Sequence, residues 1–119
     1  MSGTRFRDLL VWQRAKALAV KVYELSEQGR LSKDFVMRDQ MRRSAISICS
    51  NIAEGNERNS DRDNLRFLYI AKGSAAELIT QLEISEAVGL VTRQEAASVG
   101  DAAEEVARML GGLIKAREH

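Results

Sequence analysis

Apolar side chains recur along most of the chain at spacings of three and four residues, which is the period of an α-helix. Four such stretches are present, and the predicted helices cover residues 9–28, 33–54, 61–88 and a last segment that begins after Thr92. The alternating pattern of a β-strand never persists beyond a few residues. The sequence therefore predicts an all-α protein.

Each predicted helix has one apolar stripe that would face a shared core. Because the loops between the helices are short, the four helices are predicted to form an antiparallel up-down-up-down four-helix bundle. The bundle would be a single domain of residues 1–119, with a flexible leader at 1–8 and a flexible tail at 115–119. The predicted core residues are Val11, Ala15, Leu18, Val22, Leu25, Met37, Met41, Ala45, Ile48, Ile52, Leu68, Ala71, Ala75, Leu78, Leu82, Ala96, Val99, Ala103, Val106, Leu110 and Leu113.

Polar residues before each apolar stretch predict where the helices begin. Asp8 and Ser32 are the candidate N-caps of the first two helices, because their side-chain oxygens can accept from free amides of the first turn. Ser60 with Asp63, and Thr92 with Glu95, have the spacing of a capping box.

Glycines predict where the helices end. Gly29 and Gly89 are expected in the left-handed conformation that follows a helix. The pair at 55–56, Gly-Asn, is expected to stop the second helix, and the Gly pair at 111–112 should make the last helix fray. Gly73, in the middle of the third helix, would let another backbone approach closely.

Composition agrees with this helical pattern and indicates the cellular compartment. The chain has 119 residues and no Pro, and Cys49 is its single cysteine. A lone cysteine cannot form an internal disulfide, which fits a reducing compartment. There is neither a signal-peptide pattern nor an apolar run of the roughly 20 residues that cross a bilayer. These features predict a cytoplasmic protein without a membrane partner.

Charge is distributed unevenly although the net charge is only +1. Residues 1–59 carry 11 Lys and Arg against 7 Asp and Glu, whereas residues 60–119 carry 7 against 10. This asymmetry could mark a basic face for nucleic acid. The alternative, which we favour, is that the two halves attract each other across helix contacts or between subunits.

The residue types that catalysis or metal binding requires do not occur in usable combinations. Glu83 and Glu86 have the spacing of di-iron ligands, but the only histidine is His119 at the terminus. The hydroxyls of Ser47 and Ser50 and the Cys49 thiol lack a histidine base. The sequence thus predicts no catalytic residue, metal, cofactor or small-molecule substrate.

The stretch from residue 41 to 58 combines a double arginine with a narrow polar stripe. Arg43, Asn51 and Glu54 fall close to one face of the second helix. We expect these three to be substantially buried and paired, either with Lys72 or Arg66 of the third helix or with a neighbouring subunit.

Arginines continue through the turn into the third helix at Arg58, Arg62 and Arg66. In a repeated assembly they would form a ring, which could contact phosphates because a guanidinium binds them in a bidentate manner. They could instead pair with the acidic residues interleaved among them at 54, 57, 61 and 63. The candidate nucleic-acid contacts are Arg14, Arg42, Arg43, Arg58, Arg62, Arg66 and Lys72.

The predicted helices carry more apolar surface than one bundle needs. Trp12 and Tyr23 lie beside the core stripe of the first helix, and Ile70, Ile84 and Val88 lie off that of the third. Soluble monomers seldom leave such patches in water, so these five residues are candidates for an oligomer interface. Alternatively, the two helices are flanked on two sides within one bundle.

Several motifs in fixed order carry a family resemblance. They are DLLVWQRA at 8–15, QMRRSAISI at 40–48, SNIAEG at 50–55, RFLYIAKGS at 66–74 and EL at 77–78. With these motifs the chain resembles the four-helix-bundle proteins first noted in intervening sequences of bacterial 23S rRNA genes. The resemblance implies a homopentamer without established catalytic activity. By fold it also suggests kinship with accessory proteins of diversity-generating retroelements, which bind a reverse transcriptase and nucleic acid.

Two functional hypotheses follow. In the first, a non-enzymatic homo-oligomeric scaffold contacts RNA, DNA or a nucleic-acid enzyme such as a reverse transcriptase through arginines of the first three helices. In the second, the protein is a protein-binding adaptor whose arginines close subunit interfaces.

Overall fold

The computed structural model describes residues 5–118 and contains four long α-helices in this range. They are α1 (Leu10–Ser26), α2 (Phe35–Asn56), α3 (Asp61–Ala87) and α4 (Arg93–Arg117). Short 3-10 turns at Phe6–Asp8 and Leu31–Lys33 precede α1 and α2. The predicted all-α class is confirmed, and residues 1–4 and 119 of the predicted leader and tail lie outside the described residues.

The four helices pack side by side around one core. Each helix contacts its neighbour in sequence, and α1 also contacts α4, so the four together surround the core. The resulting body measures 45 × 20 × 20 Å, as expected for helices lying along one long axis. The four-helix bundle is therefore confirmed, and the up-down-up-down course of the helices stays a prediction.

The apolar stripes predicted from the sequence form this core with few exceptions. Met37 and Leu113 are only half-buried, whereas Leu31, Val91 and Ile114 are buried in addition to the predicted set. Ile114 replaces Leu113 because α4 continues without a break and brings the position four residues after Leu110 inward.

Two helix starts agree with the sequence and two do not. Ser60 and Thr92 accept hydrogen bonds from the amides three residues on, at 3.2 and 3.0 Å. In α2 the N-cap is Asp34, whose Oδ1 accepts from the Met37 amide at 3.0 Å. The predicted cap, Ser32, instead donates its hydroxyl to the Gly29 carbonyl at 2.6 Å.

The first helix also lacks its predicted cap. Asp8 belongs to the preceding 3-10 turn, and Leu9 is the N-cap without any side-chain hydrogen bond. The 3-10 turn provides a hydrogen-bond acceptor for one of the free amides at the start of α1, because the Leu9 amide donates to the Phe6 carbonyl at 3.0 Å.

Gly29 and Gly89 adopt φ values of +54° and +80°, as predicted for residues that follow a helix. Gly55 differs, because α2 continues through Asn56 and Gly55 is buried inside it. A Cβ atom there would lie 3.0 Å from the Phe67 Cβ and 3.2 Å from the Asn64 carbonyl oxygen, so this glycine lets α2 approach α3 closely.

The other two glycine predictions are wrong for this chain. The α4 helix passes through the Gly pair at 111–112 and ends at Arg117, so residues 115–117 of the predicted tail are helical. No neighbouring atom lies within 4 Å of a Cβ built at Gly73, so no helix of the same chain approaches closely there.

Candidate functional site

An apolar groove runs between α1 and α2 on the outside of the bundle. Its volume is about 520 Å³, and we call it the α1/α2 groove. Val20 and Ile46 are 50% and 46% exposed in it, which is high for large aliphatic side chains. The predicted interface residues Trp12 and Tyr23 both line it. The complete lining is Trp12, Lys16, Ala19, Val20, Tyr23, Glu24, Ile46, Cys49, Ser50 and Ala53.

The single cysteine lies in this groove. Cys49 is half-buried, and its Sγ is 3.9 Å from the Trp12 carbonyl oxygen, a distance at which the thiol can donate a weak hydrogen bond. Burial raises the pKa of the thiol, and the nearby Lys16 ammonium partly opposes this shift. The thiol is therefore protonated at neutral pH and behaves as a small, weakly polar side chain.

Arg42 lies beside one end of the groove, where it contacts Tyr23. Its guanidinium carbon is 4.4 Å from the Tyr23 ring centroid, and its Nε donates to the buried Ser26 hydroxyl at 2.7 Å. These two contacts hold Arg42 in place. Next to it, a depression of about 350 Å³ is lined by Tyr23, Asp39, Arg42, Arg43 and Ile46.

A second exposed apolar surface lies on the outer side of α3. Ile70, Ile84 and Val88 are 42%, 47% and 56% exposed. Glu77 is exposed seven residues from each isoleucine, and this spacing places Ile70, Glu77 and Ile84 on one line along the helix. We call these four residues the α3 outer stripe; the predicted interface residues of the third helix all belong to it.

Arginines gather at the turn between α2 and α3. The guanidinium carbons of Arg58 and Arg66 lie 4.7 and 4.6 Å from the centroid of the same Phe67 ring. Arg58 also forms an ion pair with Glu54 at 2.9 Å. Arg62, on the first turn of α3, is exposed. These three arginines, which we call the arginine cluster, combine cationic groups with one aromatic ring.

The remaining candidate nucleic-acid residues lie elsewhere. Arg14 is bound to Glu105 of α4 at 3.1 Å, so its charge is partly neutralised. Lys72 is exposed on α3. The structure thus brings Arg42 and Arg43 together at one end of the α1/α2 groove and Arg58, Arg62 and Arg66 together at the α2–α3 turn.

The predicted polar network is not formed within the single chain. Arg43 and Glu54 are exposed, whereas Asn51 is half-buried and donates to the Ser47 carbonyl at 2.8 Å. Ser47 and Ser74 share a hydrogen bond of 2.9 Å, which makes a small polar contact between α2 and α3. Joint burial of Arg43, Asn51 and Glu54 would need a neighbouring subunit and stays a prediction.

Exposed apolar residues at the start of α2 were not anticipated from the sequence. Phe35 and Val36 are 63% and 77% exposed, and the Arg38 guanidinium carbon lies 4.7 Å from the Phe35 ring centroid. Their exposure could have been predicted from two features of the sequence. Both residues directly follow Asp34, and neither lies on the face of the helix that carries Met37 and Met41.

No group of three or more His, Cys, Asp or Glu side chains within residues 5–118 has an arrangement that could hold a metal ion. Among the helices of the same range, none is both long and apolar enough to cross a membrane.

The sequence model of the family described as 23S rRNA-intervening sequence protein matches residues 7–112. No curated protein matches the sequence. A similar crystal structure, at 1.70 Å, is that of a protein of unknown function from the S23 ribosomal protein family of Bacteroides thetaiotaomicron VPI-5482. It is 29% identical, with a TM-score of 0.82 over 89% of this chain and 99% of the other. The match across residues 7–112 places this chain in the 23S rRNA-intervening sequence protein family.

Proposed function

We propose that the protein is a non-enzymatic homo-oligomeric scaffold that binds RNA or DNA through the arginine cluster at the α2–α3 turn. The observation that carries the proposal is the placement of Arg58 and Arg66 against Phe67, with Arg62 exposed on the adjoining helical turn. Guanidinium groups bind phosphates in a bidentate manner. One chain offers only three cationic groups in this cluster. A cyclic oligomer would repeat the cluster in every subunit at one end of the assembly.

Self-association is supported by the exposed apolar surfaces. The α1/α2 groove and the α3 outer stripe leave several large aliphatic side chains about half-exposed on one small protein. Such patches commonly mark interaction sites in soluble proteins. The family description, which refers to 23S rRNA intervening sequences, is compatible with a nucleic-acid setting. A pentamer is the assembly that the resemblance implies.

The direct test is a fluorescence-anisotropy titration of the protein with a structured RNA and with duplex DNA at several salt concentrations. Binding should weaken as salt rises, because released counterions contribute to the affinity. Arg62→Ala with Arg66→Ala should weaken binding about tenfold or more and reduce the salt dependence. Arg108→Ala, which removes an exposed arginine of α4, is the matched control and should bind like the wild type.

Absence of binding to either nucleic acid at low salt would overturn the proposal. Equal affinity of the double variant and the control would show that the arginine cluster is not the surface that binds nucleic acid, and would overturn this part of the proposal.

A protein-binding adaptor is the second candidate, favoured by ion pairs within the chain. Arg14 and Arg58 are already bound to Glu105 and Glu54. In an adaptor, arginines such as Arg43 and Arg66 would close subunit interfaces instead of contacting phosphate. Replacing either by Ala should then reduce the mass of the assembly in light scattering and leave the helix content unchanged, with no salt-dependent nucleic-acid binding.

A further inference from the structure

We propose that the α1/α2 groove of one subunit receives the α3 outer stripe of a neighbouring copy of this chain. The inference rests on the self-association in the proposed function and specifies which surfaces meet. Both surfaces are exposed in the single chain, and they belong to different helices. Burying one against the other would remove both from water at once.

The two surfaces are of comparable length. Ile70 and Ile84 are fourteen residues apart, so the stripe between them is about 21 Å long. The groove extends along α1 from Trp12 to Tyr23, eleven residues or about 16 Å. An apolar line on one helix placed in a groove between two others is a common mode of helix recognition. Whichever way the incoming helix runs, at least one isoleucine can lie over Val20 and Ile46.

Charge supports a second copy as the occupant. Glu77 lies midway along the stripe, and Arg43 lines the depression at the groove's end. Both are exposed, and neither forms an ion pair with another described residue of its own chain. With Glu77 beside Arg43 of the neighbour, an isoleucine about 10 Å away along α3 would lie over the apolar lining. Contact with a neighbour would also contribute to the predicted burial of Arg43.

A contact between two different surfaces has consequences for symmetry. Each subunit would offer its groove to one neighbour and its stripe to another, so the contact is heterologous and closes into a ring when the rotation permits. In such a ring every arginine cluster lies at the same end of the assembly. The geometry would thereby produce the ring of arginines on which nucleic-acid binding depends.

The native Cys49 in the groove allows a direct test. Three single variants, Ile70→Cys, Gly73→Cys and Ile84→Cys, each add one thiol on or beside the α3 outer stripe. With a short bifunctional maleimide near neutral pH, where the reagent reacts with thiols and not with the Lys16 amine in the groove, at least one of them should give a ladder of cross-linked species beyond the dimer. The ladder is expected because each chain would be linked to two different neighbours.

Two controls define the result. Adding Cys49→Ser to the cross-linking variant should abolish the ladder. Ser98→Cys, at an exposed position of α4, should not cross-link to Cys49. If the variants remain assembled in light scattering but none forms the ladder, the pairing is wrong and another surface or another protein covers the groove. Cross-linked dimers alone would indicate a symmetric contact and also overturn the inference.

A charge exchange tests the pair independently of thiol chemistry. Glu77→Arg and Arg43→Glu should each weaken the assembly in sedimentation by about tenfold in the association constant, and the double variant should recover most of the loss. Equal weakening without recovery would contradict the pairing of these two residues. A wild-type protein that is monomeric at all concentrations would instead contradict the self-association in the proposed function.

Discussion

Gly55 shows how a single residue sets the distance between two helices. The sequence places it at the end of α2, because a Gly-Asn pair is a common helix stop. The structure places it inside the helix, with Phe67 and Asn64 of α3 against the position of its missing side chain. This role depends on a contact between residues distant in sequence, so local pattern could not predict it.

Replacing Gly55 by Ala should lower the free energy of unfolding. The added methyl group would press on the Phe67 Cβ and on the Asn64 carbonyl, neither of which can move without its helix. We expect a net loss of about 1 kcal/mol, because crowding outweighs the gain in helix propensity.

Urea unfolding at a fixed protein concentration measures this change. Gly112→Ala is the matched control, since Gly112 is exposed in α4 with no atom within 4 Å of an added Cβ. It should stabilise the protein by up to about 1 kcal/mol. Stabilisation of similar size by both substitutions would disprove the close-packing role of Gly55.

At the scale of the elements, most of the fold was predictable from periodicity. The stripes of α1 to α4 follow from three- and four-residue spacing, and the capping signals of α3 and α4 gave their starts. The predicted start of α2 is wrong because two nearby residues, Ser32 and Asp34, can each serve as an N-cap. The short 3-10 turn at Leu31–Lys33 uses Ser32 for its own hydrogen bond and leaves Asp34 for the helix.

Asp34→Ala should therefore destabilise the protein by about 1 kcal/mol, the usual effect of losing an N-cap. Asp34→Asn retains an oxygen that can accept from the Met37 amide and should keep most of the stability. Chemical denaturation of the two variants against the wild type measures the difference. A larger loss from Ser32→Ala than from Asp34→Ala would instead favour Ser32 as the residue that starts α2.

At the scale of the whole molecule, the surfaces were less predictable than the core. The sequence gives the angular position of Ile70 or Trp12 around its helix, but it does not say which helices pack on either side. The structure answers this within one chain: Ile70 is exposed on α3, whereas Trp12 is half-buried and lines the α1/α2 groove. Likewise, Arg14 and Arg58 looked similar to Arg62 in sequence, and only the fold brings Glu105 within reach of Arg14.

Both proposals, nucleic-acid binding by a ring of arginines and pairing of the α1/α2 groove with the α3 outer stripe, require self-association. The most direct measurement is the mass of the wild-type protein in solution by light scattering coupled to size-exclusion chromatography. We expect a single species of about five times the 13.3 kDa chain mass. A species with the mass of one chain, at every concentration and salt tested, would contradict the central claim.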